Sequence, residues 1–345
     1  MARQPISKKE LKRRKNIAMA VFLTCIVSAM IGGSIHVMEL GSMRMDEMRA
    51  KISYDPANVH QHVRAAGEDI LIQAKNEARV DEKMTYTAAS VNALLTPKEW
   101  LEFATVINVP AGDFSMGSNA SRANNEDRPQ HTVYTPTFWM DKYPVTEAQY
   151  AKFVLSNNYR PPLNWIHGKI PEGLNDHPVT LVSWYNARDY CAWAGKRLPD
   201  EAEWEKAARG TDARRWPWGD KMDSSRLNTY YQVGHTTPVT HYKHGGSPYG
   251  VMDMSGNVSE WTFSALSKYP DAQSHTTLKV TEDQFKGVGK ENSEDIIRRV
   301  MRGGSWKGDP FSTVAYHRNY SLPNMASDFY GFRCASSHPP HEVQP

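Results

Sequence analysis

The start of the chain separates charged from apolar residues sharply. Positions 1–16 carry seven Lys or Arg residues and one acid, and positions 17–35 carry no charge. An apolar run of about 20 residues can span a bilayer, and a basic flank stays on the cytoplasmic side. We therefore predict a basic cytoplasmic tail at 1–16 and one transmembrane helix at 17–37 in the cytoplasmic membrane, with the rest of the chain in the periplasm or outside. A cleaved signal peptide is the alternative, because the small residues at 32–34 could form its cleavage site.

The next zone, residues 38–104, is rich in methionine and charged side chains. Stretches such as 65–83 have helix-forming composition, which predicts a partly helical stalk that lifts a domain off the membrane. His60 and His62 would share one face of a strand, where they could bind a metal. Nothing nearby completes such a site, so we expect both to be solvated.

From about residue 105 the pattern becomes that of a folded domain. Apolar residues between turn signals predict strands at 109–118 and at 132–140. The stretch 157–180 is rich in proline and has no periodicity, which predicts a loop.

Cap residues and apolar spacing predict three helices in this domain. Thr146 precedes the first one. Ser183 caps the second, which Gly195 ends as a glycine just past a helix does. Asp200 caps the third, with Glu203 in the capping-box position.

Composition narrows the class of protein. The chain has 345 residues with 10 Trp, 16 Tyr, 22 Gly and 21 Pro, which indicates a compact domain with much irregular structure. A net charge of +3 gives no support for nucleic-acid binding. Of the three cysteines, Cys25 lies in the apolar segment, while Cys191 and Cys334 could form a disulfide outside the cytoplasm. Two separate buried thiols are the alternative.

Ordered motifs through the domain resemble those of formylglycine-generating enzymes, also described as the sulfatase-modifying-factor domain. They are PAGDFSMGS at 110–118, HPV at 177–179, WAGKRLPDEAEWEKAARG at 193–210, WPWGD at 216–220, GNVSEW at 256–261, RGGSW at 302–306 and GFRCA at 331–335. The resemblance covers 105–337 and leaves a short tail at 338–345. It implies an α+β domain related to C-type lectins, with two helices, small twisted sheets and long loops.

The turn from Asp253 to Glu260 places two carboxylates around a glycine. Oxygen-rich turns of this kind suit Ca²⁺, and a polar turn facing water is the alternative. The resemblance implies a structural calcium ion at this turn. Its ligands would be the side chains of Asp253 and Glu260 and the carbonyl groups of Gly256 and Val258.

The resemblance also implies a disulfide between Cys191 and Cys334, and it indicates where the chemistry of the family should lie. Two copper-binding cysteines follow the RGGS motif in the oxidase, and thiolates are ligands that suit Cu(I). In this chain the two positions fall on Gly308 and Thr313, and no cysteine occurs from 303 to 333. We therefore expect neither copper binding nor oxidation of a cysteine to formylglycine.

Four polar residues near these positions are the remaining catalytic candidates: Ser305, Asp309, His317 and Arg318. His317 beside Arg318 could act as a general base or bind an anion. Hydrogen bonding of both side chains to loop carbonyls is the structural alternative. Three histidines between 235 and 244 could bind a transition metal, but their spacing is unspecific.

Two functions are compatible with this sequence. The first is a membrane-anchored accessory subunit, a pseudoenzyme that binds a protein partner in a membrane or periplasmic complex. Loops on a rigid scaffold suit recognition, and the polar stretch 264–298 has the composition of a variable loop. The second is an enzyme with altered oxidative or maturation chemistry, without a copper–cysteine centre, in a pocket near Ser305.

Overall fold

The computed structural model of the protein describes residues 86–270, 275–277 and 297–339. The predicted cytoplasmic tail, the predicted transmembrane helix and most of the predicted stalk lie outside these residues. Most of the predicted variable loop also lies outside them. Among the helices that the structure does describe, none combines the length and the apolar character needed to cross a membrane.

Few helices occur in the described part of the chain, and two of them are short. They are α1 (Ala88–Asn92), α2 (Pro97–Phe103), α3 (Glu147–Asn157), α4 (Trp184–Trp193) and α5 (Glu201–Arg209), with 3-10 turns at Ile166–Gly168 and Ser224–Arg226. The resemblance implied two helices, whereas α3, α4 and α5 are three helices of nine residues or more. The fold is mixed α/β with much irregular structure.

The predicted helix starts are confirmed at all three longer helices. Thr146, Ser183 and Asp200 each accept a hydrogen bond from a backbone N–H of the first turn and form a capping box. Gly195 has φ of +70° directly after the C-cap of α4, a conformation that glycine adopts without strain.

Among the described residues, ten short strands form three small sheets. The strands are β1 (Val106–Val109), β2 (Gly112–Met116), β3 (His131–Thr135), β4 (Phe138–Asp141), β5 (Ser259–Ala265), β6 (His275–Thr277), β7 (Arg299–Arg302), β8 (Asn319–Ser321), β9 (Tyr330–Gly331) and β10 (Ala335–Ser336). The strand orders are β1-β4-β10, β2-β3-β6 and β8-β7-β5-β9.

The predicted strands at 109–118 and 132–140 are each divided between two sheets. The first breaks at Pro110, which has no N–H to donate, and the second breaks near Pro136. Buried Lys206 fixes this corner, because its Nζ donates to the carbonyls of Pro110 and Gly112 and to the hydroxyl of Thr135, each at 2.8 Å. One apolar run therefore supplies strands to two sheets.

Helices α1 and α2, which fall in the segment predicted as stalk, pack on the domain. Val91 lies in the main apolar cluster with Trp184, and Leu95 and Phe103 pack against Tyr143 and its neighbours. All three side chains are at most 6% exposed. The packed domain therefore includes residues before 105.

Helix α5 carries the buried charges that join the sheets. Glu205 pairs with Arg209 at 2.7 Å and with Arg302 of β7 at 2.9 Å, and Glu203 pairs with Arg197 at 2.6 Å. All five side chains are at most 9% exposed. Removing one partner would leave a buried charge uncompensated, which is strongly destabilising.

The predicted disulfide between Cys191 of α4 and Cys334 is confirmed. The two residues are 143 positions apart and their Cα atoms lie 5.6 Å apart. Both are fully buried in the main cluster, which is built around Tyr150, Trp184 and Phe332. The bridge therefore ties the middle of the chain to its last strands.

Candidate functional site

Gly308 lies where the family resemblance would place the first copper-binding cysteine. Its carbonyl accepts hydrogen bonds from the N–H of Tyr230 at 2.8 Å and from the hydroxyl of Thr229 at 2.7 Å. A Cβ at this position would collide with Oγ of Ser312. A side chain here would therefore require the hydroxyl of Ser312 to rotate away.

Thr313 lies where the second cysteine would be, and its hydroxyl is part of the scaffold. It accepts a hydrogen bond from Nε1 of Trp216 at 3.2 Å and donates to the carbonyl of Pro310 at 2.8 Å. Its own carbonyl accepts from Oγ of Ser255 at 2.7 Å. Thr313 is fully buried, so its side chain serves packing.

Ser305 and Asp309 bind atoms of their own loop. Oδ1 of Asp309 accepts from the N–H groups of Phe311 at 2.7 Å and Ser312 at 3.2 Å, which stabilises a turn. Oγ of Ser305 accepts from the N–H of Lys307 at 3.3 Å. In the described part of the chain, no hydrogen bond links either residue to His317 or Arg318.

All three side-chain nitrogens of Arg318 make hydrogen bonds within the fold. Its Nε and Nη2 donate to the two carboxylate oxygens of Glu201 at 2.9 and 2.7 Å, and Nη1 donates to the carbonyls of Glu126 and Ser267. The guanidinium also lies 4.1 Å from the ring centroid of Tyr269. Every nitrogen that could hold an anion is therefore occupied.

His317 faces a buried carboxylate, Asp127. Nδ1 of His317 lies 3.4 Å from Oδ2 of Asp127, and the imidazole is 18% exposed. Asp127 also accepts from the N–H groups of Arg318 at 2.8 Å and Asn124 at 3.0 Å. Burial alone would raise the pKa of Asp127, but the hydrogen bond and charge of His317 and these N–H donors hold it below its usual range. Sequence reasoning missed Asp127, which lies 190 positions from its partner.

The predicted calcium turn has two unequal carboxylates. Both oxygens of Glu260 accept from Arg333 at 2.7 Å, and Oε2 also accepts from Nε1 of Trp204 at 2.7 Å. Asp253 has Asn257 Nδ2 as its hydrogen-bond donor at 2.7 Å, and burial raises the pKa of Asp253 to about 7. Asp253 suits a cation, whereas Glu260 does not fit as a ligand while Arg333 holds it. Calcium binding here stays a prediction.

The histidines between 235 and 244 include one that approaches a buried histidine. The rings of His235 and His177 have centroids 6.2 Å apart, and Nδ1 of His177 lies 2.9 Å from the hydroxyl of Thr236. Burial and the charge of His235 lower the pKa of His177 to about 4. Within residues 86–270, 275–277 and 297–339, no three or more His, Cys, Asp or Glu side chains are grouped to hold a metal.

A cavity of about 370 Å³ lies at the N-terminal end of α4. It is lined by residues 160–163, 181–183, 185, 186, 324 and 326, together with Tyr150 of α3. The four catalytic candidates do not line this cavity. Sequence reasoning missed it, because three loop segments far apart in the chain form it.

Comparisons with known proteins identify the family and the fold. Residues 91–338 match the model of the sulfatase-modifying factor enzyme 1-like domain. Hercynine oxygenase of Mycolicibacterium smegmatis is 33% identical over 265 residues, which are 67% of this chain and 61% of that protein. The inactive C-alpha-formylglycine-generating enzyme 2 of Bos taurus is 29% identical over 309 residues, covering 71% and 94% of the two chains. The solved structure of PvdO from Pseudomonas aeruginosa superposes with a TM-score of 0.53 at 24% identity, over 67% of this chain and 93% of PvdO.

The extent of these matches limits what they show. Among curated relatives at least 30% identical, this chain spans from 38% to 61% of the length of the relative. The family model, in contrast, matches well over half of this chain, including the domain described above. The chain therefore belongs to the sulfatase-modifying factor enzyme 1-like domain family.

Proposed function

We propose that this chain is a membrane-anchored, non-catalytic binding subunit that presents its domain in the periplasm to a protein of a membrane or periplasmic complex. One observation carries the proposal: the two positions where the family would hold copper are Gly308 and Thr313, which have no thiol, and Thr313 is buried and hydrogen-bonded within the fold. A relative that is 29% identical is named as an inactive enzyme, which supports the proposal.

The remaining polar candidates also support a non-catalytic role. Arg318 is held by Glu201 on one side and by loop carbonyls on the other, as a structural arginine is. Ser305 and Asp309 stabilise their own turn. The side chains that would have to converge in an altered active site thus serve separate parts of the scaffold.

Sequence and disulfide support the proposed location. The basic tail and uncharged run at 1–37 favour an anchor with its N-terminus inside. The Cys191–Cys334 bridge is stable in an oxidising compartment such as the periplasm.

One observation favours the alternative, an enzyme with altered chemistry. A buried carboxylate, Asp127, orients the partly buried imidazole of His317, and such pairs can act as general bases. The cavity at α4 is lined by other segments, so this pair would act at a different place in the domain.

Isolation of the full-length chain from its own membranes in mild detergent tests the proposal. A partner protein should remain with the chain at a constant ratio through two different columns, and it should remain equally with His317→Gln. A chain that elutes without any partner from membranes containing its native complexes would overturn the proposal.

A further inference from the structure

A tyrosine hydroxyl lies at the cavity beside the start of α4. Tyr150 is 1% exposed and lines the cavity, and within the described residues its hydroxyl makes no hydrogen bond. This hydroxyl is not among the side-chain atoms that are cut off from solvent without a partner, so it reaches the cavity and can bind a ligand atom there.

Among the residues that line the cavity, Arg160 is the charged one, although the carboxyl groups of Asp189 and Glu147 also act on Tyr150. Arg160 is exposed at the rim and has no ion pair among residues 86–270, 275–277 and 297–339, and the lining includes no Asp or Glu. Asp189, linked to the wall through Tyr159, is already paired with Arg188 at 2.6 Å. The N-terminus of α4, capped by Ser183, adds partial positive charge at the same place. These groups favour a ligand with a negative charge.

Exposed apolar side chains occur on the two loops that form the walls. Leu163 and Ile166 are 43% and 52% exposed, and Leu322 and Met325 are 37% and 50% exposed. Exposed apolar side chains on the loops beside a cavity suit the binding of a protein partner, and methionine adapts its shape to a partner. The volume of about 370 Å³ suits an inserted side chain and lies at the small end of ligand pockets, which span about 300–1,000 Å³.

We propose that this cavity binds an extended segment of a partner protein, with an apolar side chain inserted and a neighbouring Asp or Glu carboxylate paired with Arg160. The inference rests on the proposed binding function and names the contact that carries it. Tyr150 provides a polar contact, and Asn324 also lines the cavity.

A peptide selection tests the site directly. The full-length chain in mild detergent is incubated with a random library of N-acetylated, C-amidated hexapeptides, and the retained peptides are sequenced by mass spectrometry. We expect enrichment of Asp or Glu beside Leu, Ile, Met or Phe. Arg160→Glu should reverse the charge preference, a change on the order of fivefold per charged position. Asn324→Trp should fill the cavity and abolish retention.

Two controls keep the result decisive. Lys98→Glu makes the same charge change at an exposed position of α2, away from the cavity, and should leave the retained pool unchanged. Unchanged unfolding midpoints will show that the exposed substitutions keep the fold. No enrichment, or the same pool from Arg160→Glu and Asn324→Trp as from the wild type, would overturn the inference.

The inference and the proposed function fail separately. If a native partner copurifies equally with the wild type and with Asn324→Trp, the binding function stands and this cavity is not its contact. If the retained peptides match the expected pattern but no partner copurifies, the cavity is a peptide-binding site and the proposed subunit role is wrong.

Discussion

Arg333 and Glu260 form an ion pair with two hydrogen bonds of 2.7 Å, and both side chains are at most 1% exposed. The same guanidinium donates to the carbonyls of Asp141 and Met252. Arg333 thus joins the end of the chain to β4 and to the turn that begins at Asp253.

Replacing this arginine should be among the most damaging changes. Arg333→Met leaves the Glu260 carboxylate buried without its partner and should lower the free energy of unfolding by about 3–5 kcal/mol. Denaturant unfolding measures it. Arg214→Met is the control, because its pair with Asp212 is 26% and 56% exposed and should contribute about 1 kcal/mol or less. Similar losses in both variants would contradict the structural role.

Calcium should act through Asp253. A cation at this turn would neutralise a buried carboxylate that now has one amide donor, so millimolar Ca²⁺ should raise the unfolding midpoint. A concentration 100-fold above Kd would add about 2.7 kcal/mol. Asp253→Asn should lose the response. Identical unfolding midpoints for the wild type in Ca²⁺ and in chelator would contradict the predicted calcium site.

The disulfide should contribute strongly to stability. In the chain-entropy model, closing a loop of this length stabilises the fold by about 3–5 kcal/mol. We expect Cys191→Ala with Cys334→Ala to lose that amount in denaturant unfolding. Reducing agent should destabilise the wild type and leave the double variant unchanged. A reductant effect on the double variant would point to another origin.

Glu147 should make stability depend on pH. Burial raises its pKa from 4.5 to about 8, although Trp165, Asn164 and the N–H of Thr180 donate to it. Between these values the folded state holds a proton that the unfolded state has lost, so stability falls as pH rises through this window. Glu147→Gln should therefore gain stability over the wild type from about pH 5 to about pH 8 in thermal unfolding. A constant difference would refute the buried neutral carboxyl.

Gly308 should tolerate a side chain only when Ser312 gives way. Gly308→Ala should destabilise by about 1–3 kcal/mol, because the new methyl group meets Oγ of Ser312. Adding Ser312→Gly should recover most of the loss. Thermal unfolding of both single variants and the double variant gives the coupling, and additive effects would contradict the contact.

Local sequence signals predicted the helices well and the strands poorly. Thr146, Ser183 and Asp200 confirmed their predicted caps, because a cap is decided within four residues. The runs 109–118 and 132–140 each form two strands. They break at Pro110 and near Pro136, and Lys206 fixes this corner through hydrogen bonds that the apolar pattern does not predict.

In the candidate site too, contacts between distant segments could not be predicted from local sequence. The motif order placed Gly308 and Thr313, but nothing local revealed that Ser312 and Trp216 fill the space around them. Asp127 beside His317 was missed because contacts between distant segments are not encoded in spacing. The residues of the α4 cavity come together only in the fold.

The central claim is that this domain acts by binding and not by chemistry, and His317 is the side chain best placed to contradict it. The direct measurement is rescue of the strain lacking this gene by His317→Gln at an equal protein level. We expect full rescue with the partner complex intact. Loss of rescue while the complex remains intact would contradict the account and assign chemistry to the Asp127–His317 pair.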